Sequence, residues 1–205
     1  MAETYTPTQA LALARKLVHG IPVKDIDAQI CDFVNSQIWI AYPWRWTLSA
    51  LTAFALTDGT QDYANVPANF YRLIRARIVR TDLTPDEFRE LTPTNYLAPE
   101  LTRKGGLEQI RMIAHEAVLN RFRLDMAALI STGVTIQIQG EYQRNPTRII
   151  DSTLETAFAF PDQYMPVFVE GLKWYLYKMA DDDRAGTVTI NREGRKQYTG
   201  QMGVF

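Results

Sequence analysis

The sequence predicts an α+β fold in which helices from both ends of the chain frame an inserted, antiparallel β-rich region of barrel- or sandwich-like form. Three observations carry this. Apolar residues recur at helical spacing before Ala41 and again beyond Pro161. Between those stretches they alternate, the rhythm of half-buried strands. The change of period falls at "AYPWRWTL", Ala41 to Leu48, where a proline and two tryptophans flank an arginine. The expected organisation is a single composite domain, with residues 1–46 and 160–205 as a helical frame and 47–159 as the β-rich insertion.

Taken in order, Thr6 precedes Pro7 and Gln9 follows three residues later, a capping box with proline at the first helical position. Leu11, Ala14, Leu17 and Val18 form the apolar stripe of that helix, which Gly20 and Pro22 end. A second helix is expected from about Lys24 to Ala41 on the stripe Ile26, Ile30, Phe33, Val34 and Ile40. Tyr42 stops it, because a residue before proline disfavours helical geometry. Leu48, Ala50, Phe54 and Leu56 then alternate, and Asp58-Gly59 marks a turn. In "FYRLIRARIVR" the alternation places Ile74, Ala76 and Ile78 on one face and Arg75 and Arg77 on the other. Thr84 and Glu87 have the spacing of a capping box, so a short helix is expected in "TPDEFREL". "LNRFRLDM" and "VTIQIQGEY" return to alternation, with Arg121 and Arg123 on one side of their strand. The last clear helix carries Met165, Phe168, Leu172, Tyr175 or Leu176, and Met179, with Gly171 allowing close approach by a neighbour. Asp181 to Asp183 suit the start of a following helix better than the end of this one. Residues 184–205 read either as a second helix or as an extended arm.

Composition bounds the function. The 205 residues are 46% hydrophobic and 22% charged, enough for a globular core. No apolar run is long enough to span a bilayer, and "MAETYTPTQA" lacks the basic start and apolar core of a secretory signal. The single cysteine, Cys31, excludes an internal disulfide and a cysteine-built zinc site, which favours assembly in a reducing cytoplasm. A net charge of −1 leaves no global excess to drive tight nucleic-acid binding, although arginine outnumbers lysine sixteen to six.

Residues with catalytic chemistry are sparse. His19 and His115 sit in no ligand or triad motif. Gly105-Gly106 after Arg103-Lys104 lacks phosphate-loop spacing and reads as a turn. Asp181 to Asp183 lack the ligand spacing of a calcium loop. Cys31 has no base nearby in sequence and reads as a buried, inert thiol. No catalytic, cofactor-binding or metal-binding residue is expected, and the chain is not expected to be an enzyme. Arg75, Arg77, Arg121 and Arg123 admit two readings. One is a nucleic-acid surface with interleaved tyrosines, hence a soluble nucleic-acid-binding or packaging accessory module. The other, favoured by the near-neutral charge, is a solvated strand face or salt bridges to a neighbouring subunit.

Pro43, Trp44 and Trp46 could form a ligand cage, a membrane anchor, a subunit interface or a structural plug. A cage lacks a third nearby aromatic other than Tyr42, and an anchor lacks an adjoining apolar helix with a basic face. At a change of period, large aromatics burying about 150–250 Å² each act best as a plug, with a subunit interface second.

The order of these features resembles a known family. A helix pair leads into "PWRWTL", an Asp-Gly-Thr-Gln turn, "YANVPANFYRLIR", a β-rich insert and "FPDQYMPVFVEGLKWYLYKMADDDRAG". This is similar to the head-to-tail adaptor (connector) proteins of tailed phages, especially the tail-tube or adaptor type of short-tailed phages. Pro43, Trp44 and Trp46, then Tyr63, Pro67, Phe70 and Arg72 to Arg75, carry the likeness over nearly the whole chain. The resemblance implies a structural virion protein assembled in the host cytoplasm, with neither catalysis nor cofactor. It implies a homo-oligomeric ring, usually of twelve copies, beneath the portal protein, connecting the capsid to a tail or nozzle protein. DNA would pass through the ring's channel without sequence-specific binding, and no membrane would be involved. Adaptors of this kind attach to the portal through C-terminal elements. That implies Tyr198, Met202 and Phe205 as apolar anchors, with Arg192, Arg195 and Lys196 meeting acidic portal groups; the other reading packs this tail back on the Met165 to Met179 helix of its own chain.

Overall fold

The computed structural model describes residues 5–18, 26–83, 87–95, 103–158 and 160–180 with their side chains, and 187–190 and 196–199 by backbone. The chain divides into two compact units, Met1–Tyr42 with Pro146–Phe205, and Pro43–Asn145.

The first unit holds the helices α1 (Pro7–Leu17), α2 (Asp27–Ala41) and α3 (Met165–Met179). The capping box of α1 is reciprocal: Gln9 N donates to Thr6 Oγ1 at 3.2 Å and Thr6 N donates to Gln9 Oε1 at 3.0 Å. Its inner face buries Ala10, Leu11 and Ala14. Arg15 donates to both oxygens of Asp27, at 2.8 and 2.6 Å, tying the end of α1 to the first turn of α2. Tyr42 leaves α2 in extended geometry with ψ 146, as a residue before proline should. Packed against both α1 and α2, α3 buries residues on most of its circumference, among them Phe168, Gly171, Leu172, Trp174 and Leu176. Phe158 and Phe160 enter the same core, with ring centroids 5.0 and 5.3 Å from Phe168.

The second unit is built from β1 (Leu48–Ala55), β2 (Asp62–Tyr63), β3 (Phe70–Arg80), β4 (Glu87–Thr94), β5 (Lys104–Gly105), β6 (Met112–Glu116), β7 (Arg121–Leu124), β8 (Ala127–Ala128) and β9 (Ile136–Arg144). Seven of them form one sheet in the order β1-β9-β3-β4-β6-β7-β2, antiparallel except for β4 beside β6. A separate parallel pair joins β5 and β8. The large sheet curls on itself. Phe54 of β1, at one edge, lies 5.4 Å from the Tyr63 ring of β2 at the other edge and stacks on Phe122 of β7 at 6.0 Å. Leu51, Ile78, Ile113, Leu124, Ile136 and Ile138 fill the enclosed core. The Asp58-Gly59 turn forms as expected: Gly59 adopts φ 70, and Asp58 Oδ1 accepts from Ile130 N at 2.8 Å.

Two expectations are corrected. Glu87 to Thr94 form a strand, not a helix; Thr84 lies outside the described residues. Pairing from Ala76–Leu91 to Arg80–Glu87 and burial of Leu91 in the sheet outweigh a local cap, which is worth only about 1 kcal/mol. Strict alternation also fails in β1 and β3. A bulge between Leu51 and Phe54 turns Ala50 outward, and one between Leu73 and Arg75 sends Leu73, rather than Ile74, against the core. Of the two readings left open for residues 184–205, the described residues favour the extended one: β10 (Thr187–Ile190) and β11 (Lys196–Thr199) pair antiparallel with each other in a two-stranded sheet of their own. The run Thr187, Val188, Thr189, Ile190 is β-branched throughout, which lowers helix propensity and suits a pleated strand.

Candidate assembly surfaces

The proline-tryptophan corner is a short 3-10 turn, Arg45–Thr47, entered from Trp44. Pro43, Trp44 and Trp46 are half-buried, whereas Thr47 is 0% exposed. Much of the corner's fixation is polar. Thr47 Oγ1 donates to Trp44 O at 2.7 Å and accepts from Gln143 Nε2 at 3.2 Å. The Gln143 Oε1 accepts from Arg72 Nε at 2.7 Å, and Arg144 Nη2 donates to Trp46 O at 2.6 Å. Gln143 is also 0% exposed, and its bond to Thr47 is buried, whereas the bonds from Arg72 and Arg144 are partly buried. The turn is thereby tied to β9 and β3. Sequence reading chose the tryptophans, missed Thr47, Gln143 and Arg144, and noted Arg72 only for its place in the family-like run. Alternation places Gln143 with Gln137, Gln139 and Glu141 on the polar face of β9, so no local signal marked it as buried.

The strand arginines are committed to groups of their own chain. Arg75 Nη2 lies 2.9 Å from Glu141, and Arg121 lies 3.0 Å from Asp62 and 2.7 Å from Glu116. Arg123, buried at 6% exposure, reaches Asp62 at 3.3 Å. Arg77 donates to Gln139 at 3.0 Å and lies over the Phe88 ring, 5.5 Å from its centroid. The groove of about 330 Å³ on this side of the sheet is lined by Arg75, Arg77, Glu90 and Glu141 around Gly140. Both signs of charge are represented, so the groove presents no continuous cationic track for a phosphate backbone.

Other chemistry-bearing groups are packed into the fold. Cys31 is buried, and burial, with Asp27 beside it, pushes its thiol up to about 12, far from a reactive thiolate at neutral pH. His115 packs its ring 4.5 Å from Phe70 and 6.0 Å from Phe122. Burial raises the Tyr63 phenol; its hydroxyl donates to Thr60 O at 3.0 Å. Among the described residues no group of His, Cys, Asp and Glu could hold a metal ion, and no helix is long and apolar enough to cross a membrane.

Of the residues expected at a partner interface, Lys196 and Tyr198 lie on β11, where Tyr198 pairs with Val188 and Lys196 with Ile190. Arg192, Arg195, Met202 and Phe205 lie outside the described residues, as do His19 and Asp181 to Asp183. The structure also exposes an apolar tip that sequence reading did not single out. Ala117 to Asn120 link β6 to β7, with Val118 92% and Leu119 56% exposed.

A family model described as SU10 adaptor protein matches residues 4–203, nearly the whole chain. This chain belongs to the SU10 adaptor protein family. The match spans the proline-tryptophan corner, the curled sheet and the terminal hairpin alike, so membership rests on the chain as a whole. A search of curated proteins finds no match. In a phage adaptor protein the contact surfaces are of first interest: here the held corner, the neutralised strand face, the apolar tip and the hairpin.

Proposed function

We infer that this protein is the head-to-tail adaptor subunit of a tailed phage, forming a closed ring beneath the portal and passing the DNA channel on to a tail or nozzle protein. The observation that carries this reading is the family match over residues 4–203. A phage adaptor belongs to the virion, which fits this reading, and on it the protein assembles from many copies, with twelve the expected number. The work is geometric rather than catalytic, in keeping with a buried Cys31 thiol and a His115 ring packed between phenylalanines. DNA is a passenger. A conduit must not grip phosphates, because each contact adds affinity and salt dependence. The pairing of Arg75, Arg121 and Arg123 with Glu141, Glu116 and Asp62 supports that, and it weakens the alternative of a nucleic-acid-binding module. Attachment to the portal falls to the C-terminal hairpin, with Tyr198, Met202 and Phe205 as apolar anchors and Arg192, Arg195 and Lys196 meeting acidic groups.

The test is to mix the purified subunit with the portal of its own phage and image the product. A ring seated on the portal supports the reading. A subunit that ignores the portal and retards duplex DNA at physiological salt would replace it with the nucleic-acid module.

A further inference from the structure

A strand at the edge of a sheet turns every second N–H and C=O away from its neighbour. Proteins ordinarily guard such an edge with charge, proline, shortness or a bulge. β1 is one edge of the large sheet, with β9 on one side and no described strand on the other. Its eight residues, LSALTAFA, hold neither a charge nor a proline. Ala50, Thr52, Ala53 and Ala55 are exposed. Among the described residues, the backbone of Ser49 to Ala55 makes no hydrogen bond other than to β9. The guard present is the bulge between Leu51 and Phe54, and it leaves Leu48–Leu51 as a regular stretch opposite Gln143 to Gly140.

The same chain carries a strand that fits this edge. β10, Thr187–Ile190, is four residues long, as is the regular stretch of β1. It pairs with β11 and with no third described strand, and a lone two-stranded ribbon is marginal in water. Its sequence, TVTI, is uncharged and β-branched throughout, suited to lie against an uncharged strand. β11 differs, since it carries Lys196 and Tyr198, the residues assigned above to the portal. Each copy therefore has one uncharged edge without a partner and one uncharged strand of equal length without a third strand. A ring of identical copies satisfies both at once, whereas a portal strand on β1 would leave β10 as it is.

We propose that β10 of one subunit adds to the free edge of β1 in the next copy, across Leu48–Leu51. Main-chain hydrogen bonds supply the attraction, so no side-chain pocket is needed. The contact is heterologous, each copy giving β10 and receiving on β1, and it propagates until a ring closes. Four paired residues fall well short of the roughly 1,200–2,000 Å² that a stable pair buries, so the pairing serves copies that the portal already holds side by side. The inference rests on the ring reading above.

The test uses the full chain with its own portal. Ala50→Cys is combined with Val188→Cys, which it meets in antiparallel pairing with Leu48 opposite Ile190. It is combined separately with Thr189→Cys, which it meets in parallel pairing with Leu48 opposite Thr187. On mild oxidation of portal-bound assemblies, one of these double variants is expected to give a ladder of linked subunits, reversed by reductant. The single variants should give none, since the one native cysteine, Cys31, is buried. In wild-type assemblies, hydrogen exchange within Leu48–Leu51 should slow at least about tenfold relative to the free subunit, because pairing covers the edge. Links confined to single chains, links to the portal, no link in either double variant, or unchanged exchange in a formed ring would each overturn the pairing and leave the ring reading standing. If the wild type forms no ring with its portal, the ring reading fails and takes this contact with it.

Discussion

Gln143 shows how much a single residue settles here. Its amide nitrogen holds Thr47 and its amide oxygen holds Arg72, all at a position with no solvent exposure. Gln143→Leu keeps the bulk but strips donors and acceptors from both partners, and should cost about 1–3 kcal/mol in urea denaturation. Trp44→Ala and Trp46→Ala, at half-buried sites, are expected to fall near 1–3 kcal/mol rather than the roughly 3–5 of a fully buried ring. A loss below about 0.5 kcal/mol for both tryptophans, the range of ordinary surface changes, would make them contact residues for a partner instead of props for the corner. Cys31 supplies a pH signature. With its thiol raised to about 12 in the folded chain against an ordinary value near 9, the unfolded state loses its proton first. The Cys31 contribution is therefore full below about pH 9 and lost as pH rises towards 12. Cys31→Ala should flatten that part of a stability–pH curve; an unchanged slope would show that the thiol titrates freely in the folded protein.

At the scale of elements, β3 and β9 approach each other at a point that admits no side chain. A Cβ on Gly140 would run into the backbone carbonyl oxygen of Arg75 and lie 3.2 Å from Ala76 Cα. Both are main-chain atoms next to the bulge between Leu73 and Arg75, so relief requires the strands to part. Gly140→Ala should destabilise the subunit by about 1–3 kcal/mol, well beyond an ordinary surface substitution. Equal stability by thermal or chemical melting would mean that the bulge absorbs the methyl group. β4 makes the complementary point. Its first residue, Glu87, follows Thr84 at the spacing of a cap, yet Leu91 is 4% exposed in the sheet core and pairs opposite Ala76. A burial of that kind outweighs a single cap.

At the scale of the molecule, β10 and β11 are where folding and assembly can be tested apart. β10 and β11 pair only with each other in the sheet topology, and an isolated two-stranded ribbon is marginal in water. Truncation after Asp183 should therefore leave a soluble, cooperatively folding subunit that fails to join the portal. Circular dichroism and portal co-sedimentation read the two properties separately. An unfolded truncation product would assign the hairpin to the core, and a truncated subunit that still binds the portal would remove the attachment role from it.

The sequence by itself determined what depends on near neighbours. The capping box at Thr6 and Gln9, the stop at Tyr42 before Pro43 and the turn at Asp58-Gly59 are fixed by contacts within a few residues and by backbone angles, so they could be read directly. The sequence of such features also sufficed to point to the family that the whole-chain match shows. Tertiary structure decided whatever needed a distant partner. Bulges set which of Leu73 and Ile74 faces inward, and a sheet neighbour made a strand of residues that could cap a helix. Gln143 locked a corner 96 residues away, and the curl of the sheet brought Phe54 onto Phe122. Alternation and capping are periodic, local signals. Strand pairing and burial are decided by residues far along the chain, and no window on the sequence contains both partners.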